Sequence, residues 1–148
     1  MKSALILFAA CVVAAPCLAA GAAAPAPVAI RADHPLLGAW ELTTRDGQCV
    51  ETWRIDRSGT GLVTSAEEVA ETRFTVTDQP SSRGYYKWVD TVVKDNGKKD
   101  CGGNITKPPR TATNFILMNP DATRFIVCSA EDGKQCFGPF VKVEGGEI

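Results

Sequence analysis

Glu51 and Trp53 stand two positions apart in the run from Gln48 to Asp56. In an extended chain their side chains leave the same face. A core that takes in Trp53 therefore takes in a carboxylate as well, and a buried carboxylate calls for a cation. Arg124 and Lys87 are the candidates. Glu51, Arg124 and a tyrosine inside a barrel can do acid-base work, although a structural buried pair uses the same groups. Arg54 and Asp90 are further charges in strand-like runs, where half of the residues on a one-sided sheet face water. Asp100-Cys101-Gly102-Gly103-Asn104 is the most unusual segment. Its backbone N–H groups can shape a contact loop, so Asp100, Gly102, Gly103 and Asn104 are candidates for partner binding; glycine pairs also serve as plain turn chemistry around an anchored cysteine. His34, the single histidine, precedes Pro35 and has no orienting carboxylate beyond neighbouring Asp33. It is expected to be an exposed hinge residue rather than a catalyst. No G-x-S-x-G, paired Cys and His, phosphate-binding glycine loop or C-x-x-C occurs, so no catalytic set, metal site or cofactor is expected.

The positions of any such groups depend on how the chain is fastened. Of six cysteines, Cys11 and Cys17 fall in the first twenty residues. There Met1-Lys2-Ser3 leads into an apolar run from Ala4 to Ala15 and then small residues, the pattern of a secretory signal peptide over 1–20. The run is shorter than the roughly 20 residues a bilayer span needs, so no membrane insertion is expected after leader removal. Cys49, Cys101, Cys128 and Cys136 remain, an even number that in an exported domain implies two disulfides. Three pairings are possible. Cys128 with Cys136 is favoured because the two flank the turn Ala130-Glu131-Asp132-Gly133-Lys134, which leaves Cys49 with Cys101. A periplasmic or secreted location follows.

Residues 21–33, with Ala24-Pro25-Ala26-Pro27, read as a flexible Ala/Pro-rich tail, and residues 34–148 as the folded domain. That domain consists of short β-rich runs broken by turn residues such as Asp46-Gly47, Asn96-Gly97 and Asp132-Gly133. Seven or eight strands at intervals of roughly ten residues, with no amphipathic helix, predict an all-β fold, an antiparallel up-and-down barrel whose closure removes exposed edges, with a sandwich as the alternative. A formal net charge of −1 excludes charge-driven binding to nucleic acid. Trp40, Trp53 and Trp88, together with Arg124, are candidate residues for a small apolar ligand; the same rings suffice to fill a small barrel.

His34-Pro35-Leu36-Leu37-Gly38-Ala39-Trp40-Glu41-Leu42 resembles the opening strand of lipocalin-like (calycin) barrels, in which a G-x-W signature sets Trp across the barrel base under a late-strand Arg. Gly38 and Trp40 match the signature, and the resemblance implies Arg124 as the late Arg. The layout is also similar to small exported barrel inhibitors of bacterial metalloproteases, which pair a signal peptide and N-terminal trunk with a G-x-W-like first strand and an early disulfide. The leading expectation is an exported, non-enzymatic binding protein, of inhibitor or immunity type, that contacts another protein through barrel-end loops and the tail. A carrier of a small apolar ligand and a barrel enzyme using Glu51 and Arg124 are the alternatives.

Overall fold

The computed structural model describes residues 27–143; the leader read at 1–20, the stretch 21–26 and residues 144–148 lie outside the described residues. Eight strands follow in order: β1 (Gly38–Thr43), β2 (Val50–Ile55), β3 (Thr60–Ser65), β4 (Glu68–Val76), β5 (Tyr85–Asp95), β6 (Arg110–Met118), β7 (Arg124–Cys128) and β8 (Cys136–Val143). Each pairs antiparallel with its neighbours, and β8 returns to β1 through Ala39↔Val143, which closes the sheet into a barrel. The expected all-β up-and-down class is what forms. The chain reverses between β3 and β4 in a tight turn at Ala66 and Glu67. Ala66 takes φ 53°, and β4 then starts at Glu68.

The register decides which residues meet inside. Trp40 lies opposite Trp53, and Trp53 opposite Val63, so all three face the interior. Phe125 lies opposite Phe140 and Met118. Trp40, Phe74, Phe125 and Phe140 are fully buried. Phe74 stacks on Trp88 at a centroid distance of 4.1 Å and Phe125 on Phe140 at 4.9 Å, while Trp40 meets Phe125 edge-on at 4.7 Å. Aromatic contacts of this kind add about 0.5–1.5 kcal/mol each beyond the area they bury. The outer face carries the charges instead, Arg54, Glu71, Arg73 and Lys94 among them, the reverse of a lipid-facing barrel.

One end of the barrel is closed by the chain that enters it. Leu36 is buried beneath Trp40, whose indole N–H donates to the Leu36 carbonyl at 2.9 Å. Upstream, the Ile30 N–H donates to the Arg57 carbonyl at 2.8 Å, and Arg31 pairs with Asp78 at 2.8 Å. Gly59, at φ 81°, lets the Val28 backbone come so close that a Cβ on residue 59 would stand 2.6 Å from the Val28 carbonyl oxygen. Only glycine suits both that conformation and that contact. Of the tail expected over 21–33, Val28, Ile30 and Arg31 are held on the barrel, and 21–26 lie outside the described residues. His34 also departs from expectation. It is buried at 3 % exposure, with Nδ1 accepting the Leu36 N–H at 3.3 Å, which leaves Nε2–H to donate to the Thr77 carbonyl at 3.2 Å, and its ring edge lies against Tyr86. Thr77 and Tyr86, which bury it, lie 43 and more residues downstream, beyond the reach of a local reading.

Both disulfides lie at the other end. Cys49–Cys101 ties the β1–β2 connection to the β5–β6 connection, and Cys128–Cys136 ties the end of β7 to the start of β8. These are the favoured pairings, and they fit an oxidising compartment.

Candidate functional site at the stapled end

Leu42, Glu51 and Ser65 form one inward row across β1, β2 and β3 at the stapled end. Alternation with Trp53 does bring the Glu51 carboxylate inside, but no cation meets it. The Trp53 indole N–H donates to Oε1, and the Ser65 hydroxyl donates to Oε2 at 3.0 Å. The Ser65 oxygen in turn accepts the Cys101 N–H at 3.0 Å. Glu51 is thus the inner end of a chain that hangs the β5–β6 loop from the barrel wall. Arg124 opens β7 at the opposite end, exposed and facing out opposite Val141, and Lys87 is exposed as well. The acid-base set of Glu51, Arg124 and a tyrosine is not assembled. Nor does Arg124 reach Trp40: Lys142, directly opposite Trp40 on β8, holds its ammonium 5.1 Å from the ring centroid, and its stem passes over Gly38. The cation over Trp40 is thus Lys142 of β8 and not the Arg124 that the resemblance implies.

Two further carboxylates face inward. Asp90 lies opposite Phe74 and Ala112 and shares its face with Trp88. Burial raises its pKa to about 6, against the opposing hydrogen bonds from Thr72 and Trp88. Its Oδ1 has no hydrogen-bond partner. Beside it lies a cavity of about 40 Å³, lined by Trp53, Gly61, Thr72, Trp88 and Asn114 among others. That volume suits a water molecule, whose share of the liquid is about 30 Å³, and falls far below the roughly 300–1,000 Å³ of ligand pockets. Trp40 and Trp88 are core residues and Trp53 is half-buried among Phe125, Phe137 and Phe140, so the three tryptophans line no cup. Glu68 is buried opposite Ser65, its pKa raised by burial foremost and by Asp95 and Asp100 nearby, while a hydrogen bond from Thr106 pulls it back. Asp90, a strand charge of the kind expected to face water, is thus turned inward with Trp88, whose two-residue alternation it shares, and Glu68 is a carboxylate the sequence reading missed.

The outer surface of this end is made of loops that are pinned rather than free. Residues 96–109 are held by Cys101, by the Glu67 N–H on the Lys99 carbonyl at 3.3 Å, and by the Asn96 amide on the Glu67 carbonyl at 2.8 Å. Within the loop the Asp100 carboxylate accepts the Asn104 N–H at 2.7 Å, and the Gly103 N–H donates to the Asp100 carbonyl at 2.9 Å. The N–H groups of Gly103 and Asn104 are thereby used inside the turn. What Gly102, Gly103 and Asn104 present outward is an exposed, shaped surface rather than an open anion nest. At the same end of the barrel are Val50, Val69, Ile105 and Phe137, each 44–51 % exposed. They are four of the six large apolar side chains exposed among the described residues, and all four belong to this end of the barrel. Among the described residues no group of three or more His, Cys, Asp or Glu is placed to hold a metal ion.

No protein-family model, curated protein or solved structure matches the chain.

Proposed function

We propose that the protein is an exported, non-enzymatic binding protein that engages another protein with the stapled end of its barrel, as an inhibitor or an immunity-type protein does. The observation that carries this reading is the coincidence, at one end, of two disulfides, a pinned loop over 96–109 and four exposed apolar residues. Loops fixed in advance lose little conformational freedom on binding, and apolar side chains gathered at one end of a small domain mark a contact surface. Barrel ends are also where connecting loops are free to carry function. The filled interior speaks against a carrier that holds its ligand inside, and the dispersal of Glu51 and Arg124 speaks against the enzyme.

The likeness to lipocalin-like barrels gains support from the closed eight-stranded sheet and from a cation over Trp40 at the base, supplied by Lys142. In the metalloprotease-inhibitor layout the N-terminal trunk makes the contact. Here residues 28–36 are engaged in closing the far end, so this reading gives the contact to the loops around Asp100, Gly102, Gly103 and Asn104. The test is affinity capture from periplasmic extract with the wild-type domain and with an Ile105→Asp/Val50→Thr variant, both changes at exposed side chains. The expected result is a saturable partner that the variant loses while its melting temperature holds. Absence of any partner, or capture undiminished in the variant, overturns the proposal.

A further inference from the structure

A groove lies on the barrel wall, away from the stapled loops. Arg54, Leu62, Glu71 and Lys94 form one outward row across β2, β3, β4 and β5, with Arg54↔Leu62, Leu62↔Glu71 and Glu71↔Lys94 in register. Arg73, opposite Thr60, lies two residues further along β4 on the same outward face. The long side chains enclose a groove of about 670 Å³ whose lining includes half-buried Leu62 and Val93.

The charges of this groove are unequally engaged. Lys94 is paired with Glu71 at 3.0 Å. Asp56 is turned into its own hairpin, where it accepts the Ser58 N–H at 2.7 Å. Arg54 and Arg73 form no ion pair among the described residues. Three cations against two carboxylates leave the lining one positive charge in excess, carried by guanidinium groups that flank an apolar strip. Guanidinium is the side chain best shaped to take a carboxylate or sulfonate in two parallel hydrogen bonds.

We propose that this groove binds an amphipathic organic monoanion, a carboxylate on an apolar body, with Arg54 and Arg73 on the head group and Leu62 and Val93 against the body. Asp56 and Glu71 repel a second negative charge, which disfavours phosphates and other polyanions. The volume lies within the range of small-molecule sites. Because the groove is on the wall, it is separate from the loops proposed for protein contact.

The test is titration of the full-length, ¹⁵N-labelled mature protein with decanoate, decanol and acetate, followed by backbone amide shifts. Saturable shifts with decanoate at residues 54–62, 71–73 and 93–94 are expected, with acetate and decanol each at least tenfold weaker. An Arg54→Gln/Arg73→Gln variant should keep the wild-type melting temperature and bind decanoate at least tenfold more weakly, and Leu62→Gln should weaken it too. Shifts centred on Ile105 and Phe137, equal binding of decanol or acetate, an unaffected double variant, or no saturation with decanoate would each overturn the assignment.

Discussion

Replacing Asp90 by Asn should stabilise the protein at alkaline pH and do little at acid pH. Asp90 faces the interior beside Trp88, its Oδ1 has no hydrogen-bond partner, and its pKa stands at about 6 against the ordinary 3.8. Because the folded value is the higher one, the native state holds the proton more tightly than the unfolded chain does. The contribution of Asp90 to stability is therefore complete below pH 3.8 and is lost as pH rises through about 6. Roughly two pH decades at about 1.4 kcal/mol each make ionised Asp90 cost the fold about 3 kcal/mol at pH 8. Asparagine keeps the shape and removes the charge. Its amide group needs a partner, which offsets the gain by about 1 kcal/mol, so a net gain of about 2 kcal/mol is expected. Urea denaturation of wild type and variant at pH 4 and pH 8 measures it, with the difference between the two proteins cancelling every other titration. A variant equally displaced at both pH values, or one less stable than wild type at pH 8, would refute the claim that burial strains this carboxylate.

Three further outcomes are expected. Removing the long staple with Cys49→Ser/Cys101→Ser opens a loop with a sequence separation of 52 and should cost about 4 kcal/mol, read from melting without reductant; a melting curve like that of wild type would mean the bridge does not constrain the unfolded chain. Phe140→Ala empties a fully buried site packed against Trp53, Phe125 and Phe137 and should cost about 3–5 kcal/mol in the same assay at pH 7. His34 has its pKa lowered below 6.5 chiefly by burial, against the raising effect of the Thr77 carbonyl. Its contribution is present above pH 6.5 and is lost as pH falls below that value. His34→Gln should therefore flatten the decline in melting temperature between pH 7.5 and pH 5, and an equally steep decline in the variant would exclude the histidine as its source.

Strands, closure and cysteine pairing could be read from local pattern because each rests on short-range signals: alternation around Phe74, turn residues between runs, and cysteines flanking a tight turn. The inward course of Glu51 was legible for the same reason, since Trp53 fixes its face. Its partners were not. Ser65 and Cys101 reach it through register and a long-range bridge, and a carboxylate can be satisfied by neutral donors as well as by the cation that charge balance suggests. Asp90 sits in a run, Tyr85 to Val93, with apolar side chains on both faces, so alternation alone does not say which face of β5 turns inward, and a register irregularity between Glu71 and Thr72 disturbs its pairing with β4. Burial of His34 depends on Thr77 and Tyr86, far along the chain. The exposed apolar residues at the stapled end come from four separate places in the sequence and become neighbours in kind only once the barrel is closed.

The backbone contact between Val28 and Gly59 has a practical side for anyone preparing this protein. A recombinant version started at His34, where the sequence pattern begins the folded unit, would discard the Ile30 and Arg31 bonds to Arg57 and Asp78. The base would then lack part of its bung, and water would gain a route toward Leu36 and Trp40. Cloning from residue 27 or earlier keeps the seal intact.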